Sequence, residues 1–320
     1  MRQASIDIGS NTILLLVGDY AGGNFREVCT ISRIAGLGRG IDQIRAFSPE
    51  AMRDAYDILK ECRDKVLSLG VDPGKVVVTA TEASRVAGNA AEFYGRVHRE
   101  LGFSTAIISA ASEAYFTALG VSGEVARAGR PETVIMDIGG ASTELIKVSA
   151  DPFKILMTDT FAVGSVRGTE WLREGVFDAK IDQILPPERL APYKTDFLLC
   201  VAGSMTSVAG MHKGLKDFQA EAVHGTDVPQ AAFSALVDEI QGLGPQELLS
   251  RFPFLDKRAS TILAGAKVGL AFGRRLGVEH FQVSTYGLRY GTLEHAHQRA
   301  NKGLKGLLDP SHIQHLYGGF

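Results

Sequence analysis

The chain is poor in cysteine, carries no marked excess of charge of either sign and has no long apolar run. Its three cysteines, Cys29, Cys62 and Cys200, are an odd number at wide spacings with no CxxC pair. A disulfide framework and a zinc site are therefore disfavoured against free thiols in a reducing compartment. Lysine plus arginine number 34 against 36 aspartates plus glutamates, a formal net charge of −2. Neither nucleic acid nor a membrane surface is an expected partner, and a polyanionic substrate would have to be met by local groups. The aliphatic stretch from Ile13 to Val17 is far too short to span a bilayer. Met1-Arg2-Gln3-Ala4-Ser5 leads into a strand pattern with no signal-peptide character, so the expected location is the cytoplasm. The P-loop signature, the GxSxG elbow and HExxH are also missing.

What is present is ordinary globular material, 45% apolar over 320 residues, enough for about two domains. Residues 4–8 and 13–20 read as strands around a polar turn, and a third strand near 25–33 follows a turn at Gly22-Gly23-Asn24. Ser48-Pro49-Glu50 opens a helix running to about Leu69, with Ser48 as N-cap and Pro49 at the first helical position. A buried strand at 75–81, a helix at 89–101, a short strand at 105–108 and a helix at 112–121 complete the first α/β unit. Residues 122–132 are polar with Gly and Pro and read as a linker. Then the pattern restarts: Thr133 to Asp137 and Thr143 to Val148 flank a second polar turn. Further strands near 153–159, 198–201 and 279–284 alternate with helices near 163–172, 229–241, 257–275 and 287–300. The restart implies duplication, with domain I over 1–125, domain II over 126–300 and a cleft between the copies.

The two restart points are Asp7-Ile-Gly-Ser-Asn-Thr12 and Asp137-Ile-Gly-Gly-Ala-Ser-Thr143. Glycine allows a tight turn whose backbone N–H groups can approach a phosphate. Gly9, Ser10, Asn11, Thr12 and Gly139, Gly140, Ala141, Ser142, Thr143 are accordingly candidate phosphate contacts. Asp7 and Asp137 could hold Mg²⁺. Either turn alone could be an ordinary hairpin turn, whereas two in equivalent places favour a ligand. Gly203-Ser204, after an apolar strand and opening a helix, is a third anion-binding candidate or a plain N-cap. Glu113 and Glu144 are candidate carboxylates for orienting water; an early-helix glutamate such as Glu113 also suits the helix dipole. Arg85 and Arg33 neighbour these stretches and could bind phosphate, or could be solvated. His295 and His297 are two apart on a helix and do not form a metal pair.

Taken in order, these motifs resemble a known family. Thr79-Ala-Thr-Glu-Ala-Ser-Arg85, Ile108-Ser-Ala-Ala-Ser-Glu-Ala114, Gly164-Ser-Val-Arg167, Val201-Ala-Gly-Ser-Met-Thr206, Arg258-Ala-Ser-Thr-Ile-Leu-Ala-Gly265 and Tyr286-Gly-Leu-Arg289 join the two Asp-Ile-Gly turns. The set resembles the Ppx/GppA phosphatases, exopolyphosphatases and guanosine pentaphosphate phosphohydrolases, in their short two-domain form. The resemblance implies an α/β, actin-like (Hsp70/sugar-kinase, ribonuclease H-like) duplicated fold. A C-terminal helix at about 301–320 is expected to pack back on domain I. It implies Glu113 as general base, Asp137 and Glu144 tied to metal and water, and Arg85 on phosphate. Mg²⁺ or another divalent cation is the implied cofactor, and a homodimer is an assembly the family uses. The sequence departs from the family pattern at Ala110-Ala111-Ser112, where a glycine and a second glutamate are usual, and at Ser260, where an aspartate is usual. The expected activity is removal of terminal orthophosphate from inorganic polyphosphate, or conversion of guanosine pentaphosphate to tetraphosphate. A kinase-like ATPase and a non-catalytic sensor of such polyanions are the competing readings.

Overall fold

Alternating aliphatic residues in the first 34 positions produce an antiparallel meander of β1 (Arg2–Ile8), β2 (Thr12–Ala21) and β3 (Asn24–Ile34). The computed structural model describes residues 1–21 and 24–319. Gly22 and Gly23 of the turn expected there lie outside the described residues. The helix Pro49–Ser68 begins as the sequence predicts: Ser48 Oγ accepts from the Ala51 N–H at 3.1 Å and Pro49 occupies the first position. It buries Ala55, Leu59, Cys62 and Val66 on one face. β4 (Val77–Ala80) and β5 (Thr105–Ile108) then add to β1 in parallel, joined by the helix Ala90–Leu101. Both strands are wholly buried, as parallel strands covered by helices should be.

The pattern recurs 130 residues on. β6 (Glu132–Ile138), β7 (Thr143–Ala150) and β8 (Phe153–Phe161) form a second meander, in which Asp137 pairs with Glu144 as Asp7 pairs with Leu14. β9 (Phe197–Val201) lies parallel to β6, β10 (Thr226–Pro229) closes one edge, and β11 (His280–Val283) lies parallel to β9. β12 (Ile313–Tyr317) runs antiparallel to β5. The orders β12-β5-β4-β1-β2-β3 and β10-β11-β9-β6-β7-β8 are the same arrangement twice. The duplication read from the two turns is therefore present in strand order, strand sense and turn position.

The chain forms two compact units, Met1–Gly120 with the segment from Leu288 onward, and Val121–Gly287. The first is built on Phe47, Phe93, Tyr94, Val97 and Phe103 against the aliphatic faces of β1 and β4. The second is built on Phe161, Tyr193, Phe233, Phe272 and Phe281.

Three details differ from the sequence reading. Among the described residues no α-helix follows Asn301: the helix Leu288–Asn301 stops, and a 3-10 turn at Pro310–His312 leads into β12. Gly303 and Gly306 take positive φ and Pro310 cannot continue a helix, while β5 offers an edge to be paired. The stretch 122–132 holds the short helix Ser122–Arg127. Leu288–Asn301, read with the second domain, packs in the first unit against the helix Ala110–Gly120. A Cβ on Gly291 would overlap the Phe116 carbonyl, so only glycine permits that approach.

Candidate active site

In the first unit, the carboxyl ends of the parallel strands β1, β4 and β5 each deliver one candidate group, the usual place for ligands in α/β sheets. β1 ends in the turn at Gly9, whose N–H donates to the Thr12 carbonyl at 2.9 Å. The turn's carbonyls are tied back by the segment after β3. Ala35 and Gly36 N–H donate to Asn11 O (2.9 and 3.0 Å), and Gly38 N–H donates to Ser10 O (2.6 Å). Among the described residues, the N–H groups of Ser10 and Asn11 donate to no backbone carbonyl. The turn thus presents donors on one side and is anchored through acceptors on the other, the polarity an anion cradle needs.

β4 leads through Thr81, whose N–H donates to Ile8 O at 3.2 Å, into the short helix Glu82–Val86 that carries Arg85. The Arg85 guanidinium makes three bonds of 2.9 Å, to Glu113 Oε2, to Glu82 Oε2 and to the carbonyl of Ile108 at the end of β5. Glu113 stands in the first turn of the helix Ala110–Gly120 and is buried. Burial pushes its carboxyl above the ordinary value; Arg85 opposes this and Glu82 adds to it. Arg85 is itself shifted upward: burial disfavours its charge, but Glu113 and Glu82 outweigh that. A carboxylate held off solvent, oriented by a fixed guanidinium and raised toward neutrality has the character of a general base.

The second unit repeats the cradle. Gly139 N–H donates to Ser142 O at 3.0 Å. Ser165 N–H ties Gly139 O (2.9 Å), Val166 N–H ties Gly140 O (2.8 Å), and the Arg167 guanidinium bonds the Ala141 carbonyl. The N–H groups of Gly140 and Ala141 donate to no backbone carbonyl among the described residues. The supporting segment comes this close because Gly164 has no side chain. A Cβ there would lie 2.6 Å from the carbonyl oxygens of both Gly139 and Gly140.

Asp137 and Glu144 are register partners on β6 and β7, so their side chains share one face of the sheet. Glu144 is almost fully buried. After β9, Ala202 adopts φ 66°, a left-handed conformation, and Gly203-Ser204 opens the helix Ala202–His212. The Arg258 guanidinium lies over Gly203, donating to its carbonyl at 2.8 Å and to Ser207 Oγ at 3.3 Å. Burial lowers Arg258 to about 10, so it stays cationic at neutral pH.

The profile of the Ppx/GppA phosphatase family matches residues 16–299. The chain belongs to the Ppx/GppA phosphatase family. It is 27% identical over 314 residues to Exopolyphosphatase 2 of Mycobacterium tuberculosis, covering 91% of this chain and 97% of that protein. It is 28% identical over 299 residues to a guanosine-5'-triphosphate,3'-diphosphate pyrophosphatase of Aeromonas salmonicida, covering 91% of this chain but 58% of that one. Among solved structures, the Aquifex aeolicus member of the Ppx/GppA family superposes with a TM-score of 0.73 at 25% identity, over 96% of this chain and 99% of the other. An exopolyphosphatase from Cytophaga hutchinsonii shares the fold with a TM-score of 0.82 at 22% identity, over 95% and 99%.

Within this Ppx/GppA chain, some of the residues singled out in the sequence are already engaged in structural contacts. Arg33 forms an exposed pair with Glu61 at 2.7 Å. Thr143 is buried and its hydroxyl donates to Val163 O at 2.6 Å, making it a strut for the turn. Arg85 meets Glu113. Glu82, Gly164 and Arg258 carry no role in the sequence reading, and Arg167, a candidate phosphate arginine beside a Gly-rich stretch, instead braces the Ala141 carbonyl. All four lie inside motif segments that carry the resemblance; Glu82 meets Arg85 three residues on, whereas the contacts of Gly164, Arg167 and Arg258 span tens of residues. His224 has its Nε2 3.6 Å from Glu124 Oε1 and its Nδ1 3.3 Å from the Thr285 N–H. Among the described residues no helix is long and apolar enough to cross a membrane.

Proposed function

We propose that this chain removes terminal orthophosphate from inorganic polyphosphate, with guanosine pentaphosphate as the second substrate of the same site. The observation that carries the reading is the Glu113–Arg85 pair beside the first of two donor-presenting turns. The names of relatives from two organisms point to the same phosphoanhydride chemistry. Coverage of nearly the whole of Exopolyphosphatase 2 favours polyphosphate as the first substrate.

In the proposed step a water oxygen bonds to the terminal phosphorus as the bridging P–O bond breaks. The shortened chain leaves with the bridging oxygen. Glu113 takes the proton of the attacking water, and Arg85 holds the carboxylate in the orientation to do so. In the first unit the N–H groups of Ser10 and Asn11, with Thr12, are the donors offered to phosphate oxygens; in the second unit Gly140 and Ala141, with Ser142 and the helix start at Gly203-Ser204, offer the corresponding donors.

Among the described residues no three His, Cys, Asp or Glu side chains form a ready-made metal cage. Two hard oxygen ligands on one sheet face, Asp137 and Glu144, nevertheless fit Mg²⁺, which commonly takes one or two carboxylates and completes its shell with water and substrate phosphate. Asp7 is the corresponding carboxylate of the first unit. When bound, the cation would offset charge on substrate phosphate oxygens at the turn that holds it.

The test is orthophosphate release from both substrates with Mg²⁺ present. Turnover of either one supports hydrolysis. Binding without turnover would favour a sensor, and transfer of phosphate from ATP to an acceptor would favour a kinase.

A further inference from the structure

Three side chains form a hydrogen-bonded line immediately ahead of Glu113. Ser109 Oγ accepts from the Ser112 N–H at 3.1 Å and lies 2.9 Å from Ser112 Oγ. Ser112 Oγ in turn lies 3.0 Å from His312 Nδ1, 200 residues further along the chain. The His312 ring stacks on Tyr115, with centroids 4.9 Å apart and planes 13° from parallel. It also meets Phe116 at 4.8 Å and His295 at 5.2 Å. Ser112 and Tyr115 stand one position before and two positions after Glu113 on the same helix, so one imidazole holds the turn that carries the carboxylate at two points.

His312 is itself anchored. It ends the 3-10 turn that Asp309 caps through the Ser311 N–H at 3.0 Å, and Asp309 pairs with Arg299 at 3.0 Å. The next residues form β12 on β5, the strand whose last carbonyl holds Arg85. The C-terminal segment is therefore linked at one remove to both partners of the Arg85–Glu113 pair, through Ile108 of β5 to Arg85 and through Ser112 to the helical turn that carries Glu113. Ala110 and Ala111 have no polar side chain with which to fix the first turn, and such turns are where helices open most easily. Burial holds His312 below its ordinary value, with Asp309 raising it and Arg299 lowering it, so the ring is neutral at neutral pH. His295, also lowered by burial, to about 4, and Tyr115 complete the titratable groups around it.

We propose that the Ser112–His312 pair is a positioning device for Glu113, through which the C-terminal segment holds the proposed base in register with Arg85. This rests on the reading of Glu113 as base. Neither Ser112 nor His312 is assigned to the reacting atoms; both act through the helix.

The experiment is a double-mutant cycle on orthophosphate release from inorganic polyphosphate, using Ser112→Ala, His312→Ala, the double variant and His312→Asn. Each alanine variant is expected to lose kcat roughly tenfold with KM unchanged, and the double variant to lose no more than the worse single, since both break one link. His312→Asn, whose amide can still meet the Ser112 hydroxyl, should recover most of the rate. Wild-type kcat in both single variants, losses that multiply in the double variant, or His312→Asn as impaired as His312→Ala would each overturn the proposal. Glu113→Gln separates the two readings. A full rate in that variant sinks the base assignment itself, whereas a dead Glu113→Gln beside unimpaired Ser112→Ala and His312→Ala sinks only the positioning role.

Discussion

The Arg85 guanidinium donates to Glu113 at 2.9 Å from a position fixed by two further 2.9 Å bonds, to Glu82 and to the Ile108 carbonyl. A cation this close would ordinarily hold a carboxyl low. Burial outweighs it, and Glu113 sits above its ordinary value. The arrangement fixes the direction of the carboxylate while leaving it basic, which is what water activation asks of it.

Opposite pH trends in activity and stability follow. Folded Glu113 keeps its proton to higher pH than it does unfolded. Its ionisation therefore subtracts stability progressively as pH rises from the ordinary carboxylate value through the raised folded value. Activity, which needs the ionised form, rises over that same interval. Measured against pH, kcat/KM should climb on the acid side while Tm loses the Glu113 contribution. Glu113→Gln should lack that part of the Tm decline.

Arg85→Ala removes the one group that, among the described residues, is seen to favour ionised Glu113. The acid limb of kcat/KM should move to higher pH, with neutral-pH activity down roughly a hundredfold, within the range for a general base. Arg85→Lys should restore little, because an ammonium cannot span Glu113, Glu82 and the Ile108 carbonyl in the fixed fork of a guanidinium. A limb that stays in place in Arg85→Ala would show that Arg85 does not tune Glu113.

Gly164→Ala should displace the second turn, because the added Cβ meets two backbone carbonyls at 2.6 Å and backbone cannot yield as a side-chain tip does. A destabilisation of about 1–3 kcal/mol is expected for such overpacking, with phosphate release reduced in parallel. Gly242→Ala is the control, since nothing lies within 4 Å of a Cβ there. Denaturant unfolding and activity assays on the two variants check this; equal behaviour would mean the turn tolerates the shift.

How far the sequence carried depended on whether a feature was local. The Asp7 and Asp137 turns were legible because each sits between alternating aliphatic runs, and their repetition announced the duplicated fold. Ser48-Pro49 named a helix start to the residue. β10 and β12 escaped, because Thr226–Pro229 and Ile313–Tyr317 are short edge strands whose pairing depends on β11 and β5 rather than on their own pattern. At the site, Glu113 and Arg85 were named singly. Their contact, across 28 positions and two elements, was not, and Arg85 was read as a phosphate ligand. Gly164 looked like any loop glycine until the Gly139 turn lay against it.

Ala202 is a non-glycine residue at φ 66°, just before Gly203-Ser204. Ala202→Gly relieves a left-handed strain of about 1–2 kcal/mol and loses part of it to the greater freedom of unfolded glycine. The variant should be as stable as wild type or up to about 1 kcal/mol more so. If the strain helps aim the helix start at phosphate, KM should rise while stability does not fall. Thermal melts together with KM for polyphosphate decide it.

The central claim is that Glu113 takes the proton of the attacking water. The direct measurement is orthophosphate release from polyphosphate at neutral pH with Mg²⁺, wild type against Glu113→Gln, with Tm recorded for both. The account predicts a folded variant, at least as stable as wild type, whose kcat is lower by about 10²–10⁴-fold. A folded Glu113→Gln variant that releases phosphate at the wild-type rate would contradict it.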